Sequence, residues 1–322
     1  MKAPPSCSDL KEISRIQCPP DAVITAILDA FTKDSWTTEK VRSVSCQHIM
    51  PTPKTTYLLW IIVYWAELRI LRPIQKIWSE ALEVMDNSIS DVVLTLPIQN
   101  ALDNIQWLEK LQGCPDRGNA ETHILSRYLT NQWLLDKHLN QMLELLRDEL
   151  ISKGVDTIKV QSTHFYPKIY KGFLTQDKYV SDRMFYWCQE DRHGLETGIH
   201  DLLGFTVHIN DNHFLAMVLD FQKAIIWSGD SLTNKINPGV MKILEWWTHF
   251  HTGHWFKQQS LPVTRQLDSY SCGLLTCNAL SSFLLNSSQL LVKAEAATHA
   301  WLRVFLQVVE HHLKTLVSNV YT

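Results

Sequence analysis

The chain has 322 residues, 45% of them hydrophobic, and twelve tryptophans, which suits one large or two modest folded domains and excludes a disordered chain. A net charge of −3 and a pI near 6.5 leave no basic footprint for nucleic acid or for an anionic membrane. Seven cysteines with no Cys-x2-Cys pair read as reduced thiols of an intracellular protein, nuclear or cytoplasmic, rather than as a disulfide framework. The first residues lack the apolar core of a signal peptide, and the longest uncharged apolar-rich run, residues 55–66, is too short to span a bilayer.

Taken in order, residues 1–20 show little periodicity. Residues 21–32 spell a helix, with Asp21 as its cap after two prolines. Residues 56–71 are rich in aromatics and predict a buried helix that Pro73 ends or kinks. Beyond it, Ile74, Ile77, Trp78, Ala81, Leu82 and Met85 return at helical spacing. Residues 100–112 predict another helix, with Gly113 just past its end. Residues 114–120 (CPDRGNA) are the linker. They divide a mostly helical region, 1–113, which carries no catalytic motif and suits scaffolding or docking, from a second domain, 121–322.

In that second domain Asp136 opens a helix with Leu139, Met142, Leu143, Leu146 and Leu150 on one face, ending near Gly154. A short strand falls within 156–160, a strand or helix within 182–187, and a strand over 205–209. Residues 214–219 and 224–227 are apolar runs about a turn at 220–223, the signature of a hairpin buried on both faces. Residues 240–250 and 293–317 read as helices, the latter with Trp301, Leu302, Phe305, Val308, Val309, Leu313 and Leu316 inward. Residues 260–264 read as a strand delivering Gln266. Helices and a few strands without βαβ repetition predict an α+β fold.

The chemistry concentrates in QLDSYSCGLLTC, residues 266–277. Cys272 precedes an apolar run at helical spacing, which places it at a helix N-terminus, where the macrodipole favours thiolate. Gly273 leaves room beside the sulfur for a substrate carbonyl. Gln266, six residues earlier across a turn-rich segment, can reach back to an oxyanion. A thiolate nucleophile needs a histidine, and that histidine needs an orienter. Centring the hairpin between Phe221 and Gln222 pairs Asp220 with Lys223 and, at the open end, His213 with Asp230. His208 would be displaced from that pairing. His249, His251 and His254 have no carboxylate or cysteine at ligand spacing, so they read as a polar loop and no metal is implied.

The order His213, Asp230, Gln266, Cys272-Gly273, with Asp-Ser-Leu after the second strand of the hairpin, resembles the SUMO/sentrin-specific cysteine proteases of the adenain-like clan. Trp133-Leu134-Leu135-Asp136 resembles their Trp-Leu-x-Asp helix opening, and Ile209-Asn210 stands before the histidine element as it does there. The likeness covers roughly residues 121–322. It implies a papain-like cysteine protease domain, a central mixed sheet with flanking helices. It also implies a Cys-His-Asp triad needing no cofactor and cleavage after the Gly-Gly end of a ubiquitin-like modifier. Trp133 and the aromatic after the histidine, here Phe214 in place of the usual tryptophan, would roof the slot for that tail. Ser271 stands where an Asp usually precedes the cysteine. The residues also admit a silent modifier-binding module, or a mobile-element protease acting on another protein.

Overall fold

A computed structural model describes residues 18–33, 43–45, 56–58, 60–88, 92–114, 120–233 and 235–320. The chain divides into two compact units, 1–80 and 81–322. The first holds helix α1 (Asp21–Lys33) and an antiparallel pair of strands, β1 (Ser43–Ser45) and β2 (Thr56–Leu58). Ile24, Ile61, Ile62 and Trp65 form its core. Asp21 begins the helix from within, and the Arg72 guanidinium lies 3.5 Å from its carboxylate.

Helix α2 (Trp60–Ser88) does not stop at Pro73. The missing proline N–H costs one helical bond, about 3 kcal/mol with the ring's clash. Ile74, Trp78, Ala81 and Met85, all buried at helical spacing on the far side of the proline, outweigh it. Helix α3 (Val92–Asn104) ends where a helix over 100–112 was expected to continue. The Asn104 amide donates to Asn100 O at 2.6 Å. Beyond it the backbone turns to pair with residues 120–122 instead, Leu111 N–H donating to Ala120 O at 2.8 Å and Thr122 N–H to Glu109 O at 2.9 Å. Gly113 takes φ +75°, as its glycine allows. Residues 81–113 thus lie within the second compact unit, upstream of the 114–120 linker expected from composition.

The second unit is α+β. Its five-stranded mixed sheet runs β3 (Ile158–Val160), β4 (Leu202–Ile209), β5 (His213–Asp220), β6 (Ile225–Gly229), β7 (Lys257–Ser260), with the outer pairs parallel and the inner two antiparallel. Every residue of β5 is buried, so the strand is apolar on both faces. Phe205, Val207, Leu215, Met217 and Leu219 point to one side, where they pack with helix α5 (Phe165–Leu174) and helix α7 (Pro238–Thr252). On the other side lie helix α8 (Cys272–Leu284) and, against it, helix α4 (Asp136–Ser152). Thr276 Oγ donates to Phe214 O at 2.9 Å and pins α8 to the head of β5.

Residues 182–187 become a 3-10 turn leading into helix α6 (Tyr186–Glu196). The strand expected at 260–264 lies earlier, as β7, where its backbone meets β6. Helix α9 (Ala297–Val320) buries Trp301, Leu302, Phe305, Val308 and Val309 as expected, and His312 with them, while Leu313 and Leu316 are only half-buried. No helix among the described residues is long and apolar enough to cross a membrane.

Candidate active site

The hairpin that carries His213 is offset from its expected register. Asp220 pairs with Ile225 and Ala216 with Gly229, so residue 213 would stand opposite 232 and not 230. Four residues, 221–224, fill the turn, and Ala224 takes φ +51°. The slip is two residues. Side chains alternate with period two, so Asp230 stays on the same side of the ladder, one diagonal step from His213. The His213 Nε2–Asp230 Oδ1 distance is 2.8 Å, and both side chains are buried.

The histidine reaches this place through a tight turn. Asn210 and Asp211 both take positive φ, 53° and 56°, which short polar side chains tolerate, and Asn212 N–H closes the turn on Ile209 O at 3.2 Å. Across the cleft floor, Cys272 is the first residue of α8, among first-turn amides that have no helical partner. The thiol points to Asn212 O at 3.9 Å. His213 Nδ1 is buried and has no hydrogen-bond partner among the described residues, and Cys272 is this imidazole's other neighbour besides Asp230, which holds Nε2.

Burial alone would pull the His213 pKa down, but the Asp230 hydrogen bond, then the neighbouring Cys272, hold it up at about 9. Burial likewise raises the Asp230 carboxyl, yet the imidazole and the N–H groups of Leu232 and Thr233, at 2.8 and 3.2 Å, keep it below the usual carboxylate range. The imidazole's stabilisation is complete below its unfolded pKa of about 6.5 and is lost as pH rises through about 9. The carboxylate's contribution is present above about 3.9 and lost as pH falls below it. Urea midpoints of the wild type should therefore fall relative to those of His213→Ala between pH 6.5 and 9.5. Parallel curves would contradict the assignment.

The sulfur opens into a cleft of about 350 Å³, lined by Trp133, Leu134, Leu135, Asn140, His164, His208, Phe214 and Cys272 among others. The Trp133 indole N–H donates to Ser269 O, and the ring stays 45% exposed at the rim. Phe214 is buried, its ring stacked on His208 at 4.3 Å. His208 lies 3.9 Å from Asp136, far looser than the His213 pair. His138 bonds Leu135 N–H and Ile124 O at the start of α4, and burial pushes its pKa down to about 4, which leaves it a neutral cap. The 249–254 histidines do not converge: His249 stacks on Trp255 and His251 bonds Tyr179. No group of metal-binding side chains occurs among the described residues.

Gly273 is not on the cleft. A Cβ there would meet Leu139 Cδ1 at 3.0 Å and Leu134 Cβ at 3.3 Å, so the missing side chain lets α8 close on α4. Gly273→Ala should cost about 1 kcal/mol of stability, overpacking being partly offset by the helical gain from alanine, read as a lower melting temperature. An unchanged melting temperature would show that the two leucines yield freely.

Gln266 is buried, its Oε1 accepting from Ser231 Oγ at 3.0 Å and its Nε2 donating to Asp268 O at 2.7 Å. One Nε2 hydrogen is used in that bond, and the amide, held at both ends, keeps a second. Two contributors escaped the sequence reading. Asn212 contacts the thiol through its backbone oxygen, which no side-chain pattern reveals. Asp268 accepts from Tyr270 N–H, Ser271 N–H and Ser271 Oγ, and an Asp three residues before a Ser in a turn was the available signal.

The fold is that of solved SUMO proteases. The chain is similar to the C-terminal protease domain of Ulp1 in complex with Smt3, the yeast ortholog of SUMO, with a TM-score of 0.51 and 17% identity over 69% of this chain and 96% of that one. It is also similar to the SUMO protease Ulp1 with its catalytic cysteine oxidised to a sulfonic acid, at TM-score 0.52 and 14% identity over 68% and 95% of the two chains. No protein-family model and no curated protein matches the sequence.

Proposed function

We propose that residues 121–322, backed by 81–113, form an intracellular cysteine peptidase that cleaves after the C-terminal Gly-Gly of a ubiquitin-like modifier, of SUMO type. The observation that carries this reading is the buried imidazole bonded to Asp230 at 2.8 Å, with a thiol at a helix N-terminus as its other neighbour. The likeness to a protease seen with Smt3 supports the choice of modifier. The cleft of about 350 Å³ at the sulfur, with Trp133 and Phe214 among its lining, supports a tail without side chains as the occupant.

In this mechanism His213 takes the proton from Cys272 Sγ, and the sulfur bonds to the carbonyl carbon of the terminal glycine. The Cys272 N–H and the Gln266 amide hold the oxyanion. As the C–N bond breaks, His213 gives its proton to the leaving amine. Water, deprotonated by the same imidazole, then displaces the sulfur and frees the modifier's carboxylate. Asp230 keeps the ring oriented and steadies its charge.

The test is a panel of SUMO, ubiquitin and related modifiers, each carrying a fluorogenic amine on its terminal glycine. Release from a SUMO-type substrate, with little from the others, is the expected result. Release from none, by folded protein, would overturn the reading.

A further inference from the structure

We infer that Asp268 is a positioning residue that sets the oxyanion site, because it ties the Gln266 amide and the Cys272 helix entry into one unit. The inference rests on the reading of Cys272 as an acyl-accepting nucleophile. Asp268 works through two different groups. Its backbone oxygen accepts from Gln266 Nε2 at 2.7 Å and fixes where that amide points. Its carboxylate accepts from Tyr270 N–H at 2.9 Å and Ser271 N–H at 2.7 Å through Oδ1, and from Ser271 Oγ at 2.6 Å through Oδ2.

Those three bonds fix the backbone immediately before Cys272, and so the direction of the Cys272 N–H. Ser271 is braced from behind, its hydroxyl accepting from the Trp301 indole at 3.3 Å. Ser231, directly after Asp230, reaches the other end of the same amide, Oγ to Gln266 Oε1 at 3.0 Å, and accepts Gln266 N–H on its carbonyl at 2.9 Å. The Trp133 indole N–H closes on Ser269 O inside the loop. The two donors proposed for the oxyanion thus have a common anchor, and the rim of the cleft shares it. Ser271, uncharged beside the cysteine, receives its negative partner from three residues upstream.

This predicts a defect confined to reactions that build an oxyanion. Alkylation of Cys272 by iodoacetamide forms an S–C bond and expels iodide without passing through one. Acetylation by p-nitrophenyl acetate does pass through one: the S–C bond forms, the ester C–O bond breaks, and p-nitrophenolate leaves while the thiol proton passes to His213. Both reactions, read at Cys272 by mass spectrometry, need no modifier.

In Asp268→Ala, acetylation should fall roughly 10- to 100-fold, the scale of one misplaced oxyanion donor, while alkylation stays within about two-fold. Asp268→Asn keeps an oxygen for the two backbone amides and can donate to Ser271 Oγ, so its acetylation should stay within about three-fold of wild type. Equal losses in both reactions would assign Asp268 to general loop stability, and an undiminished acetylation rate in Asp268→Ala would remove it from the oxyanion site; either overturns the proposal. A wild-type Cys272 that alkylates but does not acetylate would overturn the proposal together with the oxyanion site itself. A wild-type Cys272 inert to both reagents would overturn the nucleophile assignment on which it rests.

Discussion

Cys272→Ala should abolish hydrolysis of a modifier substrate, a loss on the order of 10⁴-fold or more, while leaving its affinity within a few-fold of wild type. The sulfur is the enzyme atom that bonds to the substrate carbon, and no neighbouring residue can replace it. Cys277, one turn along α8, is buried with its pKa driven far up by that burial, and so supplies no thiolate. The substitution removes one buried atom from a helix start already held by Thr276 and by the Asp268 turn, so the fold survives. Turnover and equilibrium binding measured on the same preparation separate the two effects. Turnover persisting in Cys272→Ala would refute the nucleophile; lost binding would show the variant misfolded or the thiol part of the docking surface.

The second large effect belongs to the His213–Asp230 pair. His213→Ala should cost roughly 10³- to 10⁴-fold in kcat, because both proton transfers lose their carrier. Asp230→Asn should cost less, about 10²- to 10³-fold, since an amide can still hold the ring but no longer steadies its charge. The sign of the accompanying pH shift is fixed by the cause. Asp230, ahead of Cys272, lifts the imidazole to about 9 against burial, so its removal lowers that pKa. The alkaline limb of kcat/KM should move to lower pH in Asp230→Asn. A profile of reduced height and unmoved limb would mean that the carboxylate only shapes the hairpin.

How far the sequence reveals this site depends on the interaction that places each residue. Local rules place Cys272 at a helix start, since an apolar 3.6-residue pattern begins there. The His213–Asp230 contact is also legible, although the register that predicts it is off by two. Turn chemistry at 221–224 sets the register, while the parity that decides the facing side survives an even slip. The failures are tertiary. Pro73 reads as an end or a kink, and the buried stripe from Ile74 to Met85 carries α2 through it without an end there. The segment after Asn104 has helical periodicity, but backbone pairing with 120–122 claims it. Gly273 reads as space for substrate, and the approach of Leu139 and Leu134 gives it another reason. Asp268 looks like an ordinary turn residue until its three donors are counted.

The most direct test is covalent capture. An electrophile carried on the C-terminal tail of a SUMO-type modifier, offered to the full chain, should form one adduct, mapped by mass spectrometry to Cys272 and missing in Cys272→Ala. A folded chain that forms no adduct with any ubiquitin-like probe, or forms it on another cysteine, would contradict the account.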